Sequence, residues 1–216
     1  CSKLNKTLVT LNHDANFEVI KEQIKNFKLN NIFCSIQLEI YLKKSLNRNF
    51  LNTSKKSEII SNNKKEKNDI FLLTFSSGSS NKPKPIAISE KTKIDRAFSN
   101  IECFKVKKGN RIIISTPLHH TLAIRLMTMG ILLGSEIIFM KKYNLTNFLK
   151  LVKLYNCKFT FFVSNQLIEI SKYKKNFIFL KSLNCLVSSS SPLPLDEKYK
   201  LLKYFPKKIY EMYGLS

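Results

Sequence analysis

The sequence predicts an α/β fold with a largely parallel sheet, and two observations support this prediction. Short apolar runs alternate with longer segments in which apolar residues recur every three or four positions, which is the pattern of strands followed by helices. The strand candidates are continuous apolar runs without alternating polarity, as is typical of strands buried on both faces. Repeated strand–helix units of this kind favour parallel strands with helices packed against them.

Residues 1–46 predict a partial first α/β segment. A helix candidate at residues 17–27 carries Phe17, Ile20 and Ile24 on one face. Strand candidates flank this helix at residues 6–11 and 31–36. The next interval, residues 47–69, is mostly polar, and we expect it to form a linker or an exposed loop.

Residues 70–216 predict the main core of the protein, because strand and helix candidates alternate regularly along this part of the chain. Strands are predicted at residues 70–75, 111–115, 136–140, 158–163, 183–188 and 208–212. Helices are predicted at residues 92–104, 122–133, 146–155, 165–174 and 196–204.

Composition and charge exclude several classes of protein. A hydrophobic share of 44% is enough to form a core, and only 5 Gly, 6 Pro and 5 Cys exclude collagen-like and disulfide-scaffold chains. The 37 basic residues against 15 acidic ones give a net charge of +22. Because the lysines are spread from Lys3 to Lys208, we interpret most of this charge as a solvated surface and expect no specific nucleic-acid partner. A basic nucleic-acid-binding module remains the alternative function.

The cysteines indicate a reducing environment. They are odd in number, far apart in sequence and never arranged as CxxC, which argues against a zinc cage or a disulfide framework. We therefore expect a cytoplasmic protein and expect Cys34, Cys157 and Cys185 to act as small buried hydrophobes. The most apolar stretch, residues 122–140, contains two charged residues and is too short to span a bilayer, so no transmembrane segment is predicted.

One loop has the residues needed to bind phosphate. It follows the apolar run at residues 70–75 directly and comprises Ser76, Ser77, Gly78, Ser79, Ser80 and Asn81, with Lys82 and Lys84 after them. Backbone N–H groups, hydroxyl donors and ammonium charge can together hold a phosphate group. The loop is not a P-loop, because the second glycine is missing. From the residues alone, a phosphate site and a plain surface turn are equally open.

The segment FSSGSSNKPKP, residues 75–85, resembles the phosphate-loop signature of the adenylate-forming (AMP-binding) superfamily, which includes acyl- and aryl-CoA ligases. Two positions depart from that signature: Asn81 stands where glycine is usual, and Pro85 replaces the closing glycine. Because proline fixes φ and restricts the residue before it, we expect the chain leaving this loop to be extended.

Three later segments resemble the same superfamily, in the same order along the chain. In STPLHHT, residues 115–121, His120 matches a histidine that borders the acyl pocket of the family. In LVSSSSPL, residues 186–193, serines replace the glycines of the turn that lies along the adenine. The final segment, IYEMYGLS, resembles a Tyr-Gly-x-Thr/Ser-Glu motif in which Ser216 takes the Thr/Ser position.

This resemblance implies an acid–thiol ligase. Such an enzyme uses ATP and Mg²⁺ to convert a carboxylic acid to an acyl-adenylate, and then transfers the acyl group to a thiol, coenzyme A or a carrier protein. The apolar helix at residues 122–133, with His120, would line the acyl pocket and favours a fatty or aromatic acid. Lys84 and Ser216 are the implied catalytic residues, and the glutamate that supports Mg²⁺ would follow Ser216, so no metal ligand is assigned within the chain.

The resemblance also implies a nucleotide site made of two groups of residues. Phosphate binding is implied for Ser76, Ser77, Gly78, Ser79, Ser80, Asn81 and Lys84. Adenine or AMP binding is implied for Ser188, Ser189, Ser190, Ser191, Tyr213, Gly214 and Ser216. Residues 70–216 would then form a truncated AMP-binding core, and the chain as a whole would be an incomplete large domain, truncated at both ends and without the C-terminal lid domain. We therefore expect the chain alone to be inactive, with an inactive remnant of a ligase as a further alternative.

Overall fold

The computed structural model describes residues 7–12, 14–44, 46, 48–52, 70–75 and 84–214. The strands are β1 (Leu8–Val9), β2 (Asn31–Cys34), β3 (Asn49–Asn52), β4 (Ile70–Phe75), β5 (Pro85–Ser89), β6 (Ile112–Ile114), β7 (Ile137–Phe139), β8 (Phe162–Val163), β9 (Cys185–Ser189) and β10 (Lys208–Glu211). The helices are α1 (Phe17–Asn26), α2 (Ile36–Lys43), α3 (Glu90–Cys103), α4 (Thr121–Leu133), α5 (Leu145–Leu154), α6 (Ser164–Ser171) and α7 (Leu195–Tyr204), with a 3₁₀ helix at Lys174–Leu180.

Five strands in the order β7-β6-β8-β9-β10 run parallel. β6 pairs with β7, and β9 pairs with both β8 and β10. A parallel bridge between Ile112 and Phe159, with the Ile113 amide donating to the Phe159 carbonyl at 3.1 Å, joins the two groups of strands. The chain moves from β6 to β7 on one side and then returns to β8 on the other side. This reversal creates a topological switch point between β6 and β8, which is where open α/β sheets bind ligands.

Helices cover both faces of this sheet, so its strands are apolar on both sides. Along β6, Ile112 and Ile114 pack against α3 and α4, whereas Ile113 faces the opposite cluster. That opposite cluster is built from α5, α6, α7 and the 3₁₀ helix, which contribute residues such as Phe148 and Leu167. Both clusters consist of fully or nearly fully buried side chains, which makes burial of apolar area the main stabilising contribution.

A second sheet lies on the far side of α3 and α4. Its strands take the order β1-β4-β5, with β1 parallel and β5 antiparallel to β4. Leu72 and Ile88 of this sheet pack against Ile124 of α4, so the α3–α4 pair is buried between two sheets. A smaller parallel pair, β2 and β3, packs with α1 and α2 around Ile20 and Ile24.

The predicted α/β fold class is confirmed, and most of the predicted elements are found within two residues of their predicted bounds. Four elements were missed: α2, β3, β5 and the 3₁₀ helix at Lys174–Leu180. β3 lies inside the interval predicted as a linker, and the other residues of that interval, apart from Arg48, lie outside the described part of the chain. The predicted strand at residues 158–163 is regular only at Phe162–Val163, because its first half makes a single bridge. The chain does leave the predicted phosphate loop in an extended conformation, since β5 begins at Pro85.

The expected state of the cysteines is confirmed within the described residues: Cys34, Cys157 and Cys185 are buried and free. Burial raises the pKa of Cys157 and of Cys185 to about 11, so neither thiol is activated as a nucleophile. Among the described helices, none is both long enough and apolar enough to cross a membrane.

Lys93 is an exception in the apolar layer between the two sheets. It lies on α3 with only 3% of its surface exposed, although its side chain ends in an ammonium group. Its charged neighbours are Arg125 on α4 and Arg96 on α3, both of the same sign. Burial first, and then these two guanidinium groups, lower the pKa of Lys93 to about 8. The charged form is therefore destabilised in the folded protein.

We predict that Lys93→Met stabilises the fold at neutral pH by about 2 kcal/mol, because it keeps side-chain volume and removes a buried charge that has no acidic partner among the described residues. Below pH 8 both folded and unfolded states hold the proton, so the penalty is constant. Between about pH 8 and 10.5 the unfolded chain binds more protons, so the stability of the wild type rises and the advantage of the variant shrinks. Urea denaturation from pH 7 to pH 10 measures this, with exposed Lys108→Met as control. An advantage that is independent of pH would contradict the prediction.

Gly130 sets how closely α4 approaches the sheet. A Cβ at this position would lie 2.5 Å from Cδ1 of Ile137 on β7 and 2.6 Å from its Cγ1. We expect Gly130→Ala to destabilise the fold by about 1 kcal/mol, because overpacking outweighs the better helix propensity of alanine. The cost should vanish in an Ile137→Ala background. A double-mutant cycle of unfolding free energies tests this, and strictly additive effects would show that the two residues do not collide.

Candidate active site

The turn that follows β9 is held by a network centred on Ser164, the first residue of α6. The Ser164 hydroxyl lies 3.1 Å from the hydroxyl of Ser188 and also contacts the carbonyl oxygens of Ser189 and Ser191. Carbonyl oxygens can only accept, so the single Ser164 proton goes to them and Ser188 is the donor in the hydroxyl pair. Ser190 is the strained residue in this turn, with φ of +81°, a value that favours glycine.

The far side of the same turn is fixed by Glu211, near the end of β10. Its carboxylate accepts a hydrogen bond of 3.0 Å from the Leu193 amide and pairs with Lys198 at 2.6 Å. The Leu193 amide first, and then Lys198, lower the pKa of Glu211. One residue further along, the Met212 amide donates to the Ser188 carbonyl at 2.8 Å. The serine turn and the segment leading into Tyr213 are therefore neighbours.

A second part of the site is the loop between β6 and α4. His120 is the N-cap residue of α4, and its ring lies 4.2 Å from that of His119, measured between centroids. Burial lowers the pKa of His120, which favours the neutral imidazole at pH 7. The Thr74 hydroxyl donates to the His119 carbonyl at 3.4 Å, so the end of β4 meets this loop. Phe75, where the predicted phosphate loop begins, is the next residue after Thr74.

A cavity of about 520 Å³ opens at the carboxyl edge of the parallel sheet. Its walls come from residues at or after the ends of four strands: 115–117 after β6, Tyr143 after β7, Val163, Asn165 and Gln166 at the end of β8, and Ser190 after β9. The start of α4, at His120, Thr121 and Leu122, completes one wall, and Glu169 of α6 contributes to another. The cavity therefore lies at the topological switch point between β6 and β8.

The structure brings some of the predicted site residues together and leaves others undescribed. His120 and Ser190 line one cavity, and Ser188 is buried directly behind the turn. Tyr213 is 95% exposed, and Lys84 lies at the surface next to Pro85, the register partner of Phe75. The residues Ser76, Ser77, Gly78, Ser79, Ser80, Asn81 and Ser216 lie outside the described part of the chain. The site assignments therefore remain predictions.

Several residues that shape the cavity were not predicted from the sequence. Ser164 holds the serine turn. The side chain of Gln166 accepts a hydrogen bond of 3.1 Å from the backbone amide of Val163 and donates one of 3.2 Å to the Ser115 hydroxyl. Tyr143 and Glu169 form the end of the cavity beside β7. Their position in the sequence could have predicted them, because most of these polar residues directly follow an apolar run, at the point where a parallel strand ends.

A parallel sheet with helices on both faces and a cavity at its switch point defines an α/β ligand-binding domain. The family model described as AMP-binding enzyme matches residues 2–216, so the chain belongs to the AMP-binding enzyme family. The chain is 23% identical over 155 residues to 4-coumarate–CoA ligase 3 of Oryza sativa subsp. japonica, an alignment that covers 68% of this chain and 28% of that protein. The chain thus spans less than a third of this curated relative.

Solved structures of the same family share the fold at low sequence identity. The O-succinylbenzoate coenzyme A synthetase of Bacillus subtilis, in complex with AMP, superposes with a TM-score of 0.81 at 15% identity, over 96% of this chain and 54% of that one. ATP-bound MatB from Rhodopseudomonas palustris superposes with a TM-score of 0.82 at 13% identity, over 97% of this chain and 44% of that one. The luciferase-like enzyme of the mealworm Zophobas morio superposes with a TM-score of 0.79 at 18% identity, over 97% of this chain and 54% of that one.

We predict that Ser164→Ala destabilises the protein by about 1–3 kcal/mol, because it leaves the Ser188 hydroxyl and two turn carbonyls without their common partner. Chemical denaturation measures the change. Ser99→Ala, which removes an exposed hydroxyl that bonds only within α3, is the matched control and should change stability by less than about 0.5 kcal/mol. Equal effects from the two substitutions would show that the Ser164 network contributes nothing.

Proposed function

We propose that the protein containing this chain activates a carboxylic acid with ATP, forms an acyl-adenylate and transfers the acyl group to a thiol, with coenzyme A as the acceptor. Family membership supports the adenylating half of this reaction. The ligases among the relatives and solved neighbours, 4-coumarate–CoA ligase 3 and the O-succinylbenzoate coenzyme A synthetase, support the thiol transfer.

The observation that carries the proposal is the shared cavity. It has His120 at one wall and Ser190 of the serine turn at another, so an acid and a nucleotide could meet there. Carbon atoms make up most of the lining, which suits the organic part of an acid. The hydrogen bond between Thr74 and His119 brings the end of β4, and with it the start of the predicted phosphate loop, to the same region.

In this proposal each motif has one role. Lys84 and the loop of residues 76–81 bind the β- and γ-phosphates, and fixed donors there stabilise the charge that develops when pyrophosphate leaves. The turn at residues 188–191, with Tyr213 and Gly214, holds the adenine and the α-phosphate side. His120 borders the acid. A neutral imidazole at that position would not compete with Mg²⁺ for the charge of the nucleotide.

We propose Mg²⁺ as the counter-ion of ATP, without a protein ligand among the described residues. Those residues contain no group of three His, Cys, Asp or Glu side chains that could hold a metal ion. No step of the proposed reaction is therefore assigned to a metal bound by this part of the chain.

We predict that Lys84→Ala lowers acid-dependent ATP–pyrophosphate exchange by the full-length protein about 100-fold, since one charge-stabilising donor is lost. Exchange of labelled pyrophosphate into ATP is the measurement. Lys91→Ala is the matched control, because Lys91 is an exposed lysine of neighbouring α3 that pairs with Asp95. Exchange that is unchanged in Lys84→Ala would argue strongly against the phosphate-loop assignment.

A further inference from the structure

The order of the strands determines which residues lie at each end of the cavity. Ser190 follows β9, whereas Tyr143 follows β7, three strands away across the sheet in the order β7-β6-β8-β9. With neighbouring strands about 4.8 Å apart, the cavity extends about 14 Å along the carboxyl edge of the sheet. Under the proposed function the nucleotide lies at the Ser190 end. The part of the acid that is remote from its carboxylate therefore lies at the Tyr143 end.

That remote end carries a carboxylate. Glu169 lies one helical turn after Asn165 on α6, so both residues are on the face that lines the cavity. None of the described lining residues is Lys or Arg, although the chain has 37 of them. Glu169 makes no ion pair within the described part of the chain. Its neighbour is Tyr143, whose pKa is raised by burial and then by Glu169.

Glu169 keeps the capacity to bind a ligand. A carboxylate offers two oxygens with about four lone pairs, and the neighbouring Tyr143 hydroxyl is buried without a hydrogen-bond partner among the described residues, so it leaves those lone pairs open to a ligand. If a purely apolar acid filled this end of the cavity, it would remove water from the carboxylate without giving it a partner, which is costly. A ligand that places a hydrogen-bond donor there restores the lost interaction.

We propose that the acid activated at this site carries a hydrogen-bond donor, a hydroxyl or an ammonium group, at the end remote from its carboxylate, and that Glu169 accepts this hydrogen bond. The inference rests on the proposed function and narrows its substrate class. The expectation of a fatty or aromatic acid is kept, because the apolar walls of the cavity still favour an apolar carbon skeleton. The donor group at the remote end is the added requirement.

The test compares three acids of one carbon skeleton in the full-length protein: hexanoate, ω-hydroxyhexanoate and ω-aminohexanoate. Acid-dependent pyrophosphate release with ATP and Mg²⁺ gives kcat/KM for each acid. We expect at least one of the two donor-bearing acids to exceed hexanoate by about 10-fold or more, because a site built to accept a hydrogen bond discriminates against analogues that lack the donor.

Two variants separate the hydroxyl from the ammonium group. Glu169→Gln removes the charge but keeps an acceptor oxygen, so kcat/KM should fall about 10-fold or more for an ammonium acid and less than about 5-fold for a hydroxyl acid. Glu169→Leu removes the acceptor and the half-buried charge together, so it should lower turnover of the preferred acid and raise that of hexanoate. The gain with hexanoate shows that this variant is folded. Glu22→Gln, an exposed carboxylate on α1, is the matched control.

The outcomes distinguish this inference from the proposal on which it rests. Equal kcat/KM for the three acids, or a preference unchanged in both Glu169 variants, overturns the inference and leaves adenylation intact. A preference for hexanoate over both other acids also overturns it. Absence of pyrophosphate release with every acid, while ATP still raises the melting temperature, overturns the proposed function and this inference with it.

Discussion

Parallel hydrogen bonding between β6, β7, β8, β9 and β10 is the constraint on which the site depends. Because the strands run in one direction, the residues that follow them all emerge at one edge of the sheet, although they are up to 75 positions apart between Ser115 and Ser190. Parallel strands require crossover connections, and the helices in those connections cover both faces of the sheet. The helices thus cover the apolar faces of the sheet, and its carboxyl edge stays accessible to a ligand. The reversal of strand order between β6 and β8 opens a cavity at that edge.

The serine turn after β9 shows how local strain is offset by tertiary contacts. Ser190 adopts φ of +81° without being glycine, which costs about 1–2 kcal/mol. Ser164 on one side and Glu211 on the other bind the turn through hydrogen bonds to Ser188, Ser191 and Leu193. These contacts come from α6 and β10, so the conformation of the turn depends on the assembled sheet. The serines of this turn also supply hydroxyl groups beside the cavity.

Charge is distributed unevenly over a strongly basic protein. The chain carries a net charge of +22, and even the apolar layer between the two sheets contains Lys93 close to Arg125. The described lining of the cavity, by contrast, has Glu169 as its one charged side chain, and burial favours the neutral form of His120. Under the proposed function, the basic surface would attract the anionic nucleotide toward the rim of the cavity, and Glu169 would favour a donor group at the remote end. Together with the order of the strands, this contrast supports the proposed assignment of the two ends of the cavity to different parts of the substrates.

Local sequence patterns determined the secondary structure, the α/β class and the order of the motifs, because apolar periodicity and glycine–proline punctuation act over a few residues. The continuous apolar run at Ile112–Ile114 likewise predicted a strand buried on both faces, and every residue of β6 is buried. The run IFLLTF at residues 70–75 predicted the same for β4, but only Leu72 and Thr74 of that strand are buried. Patterns of this range missed β3 and β5, whose strand character comes from pairing with β2 and β4, and missed α2. Only the tertiary structure decided which motif residues share a cavity, since His120, Glu169 and Ser190 meet through the order of strands across the sheet. The tertiary structure likewise decided that Ser164 supports the serine turn and that Glu169 lies at the far end of the cavity. Hydrogen bonding between strands that are distant in sequence brings together residues that no local pattern relates.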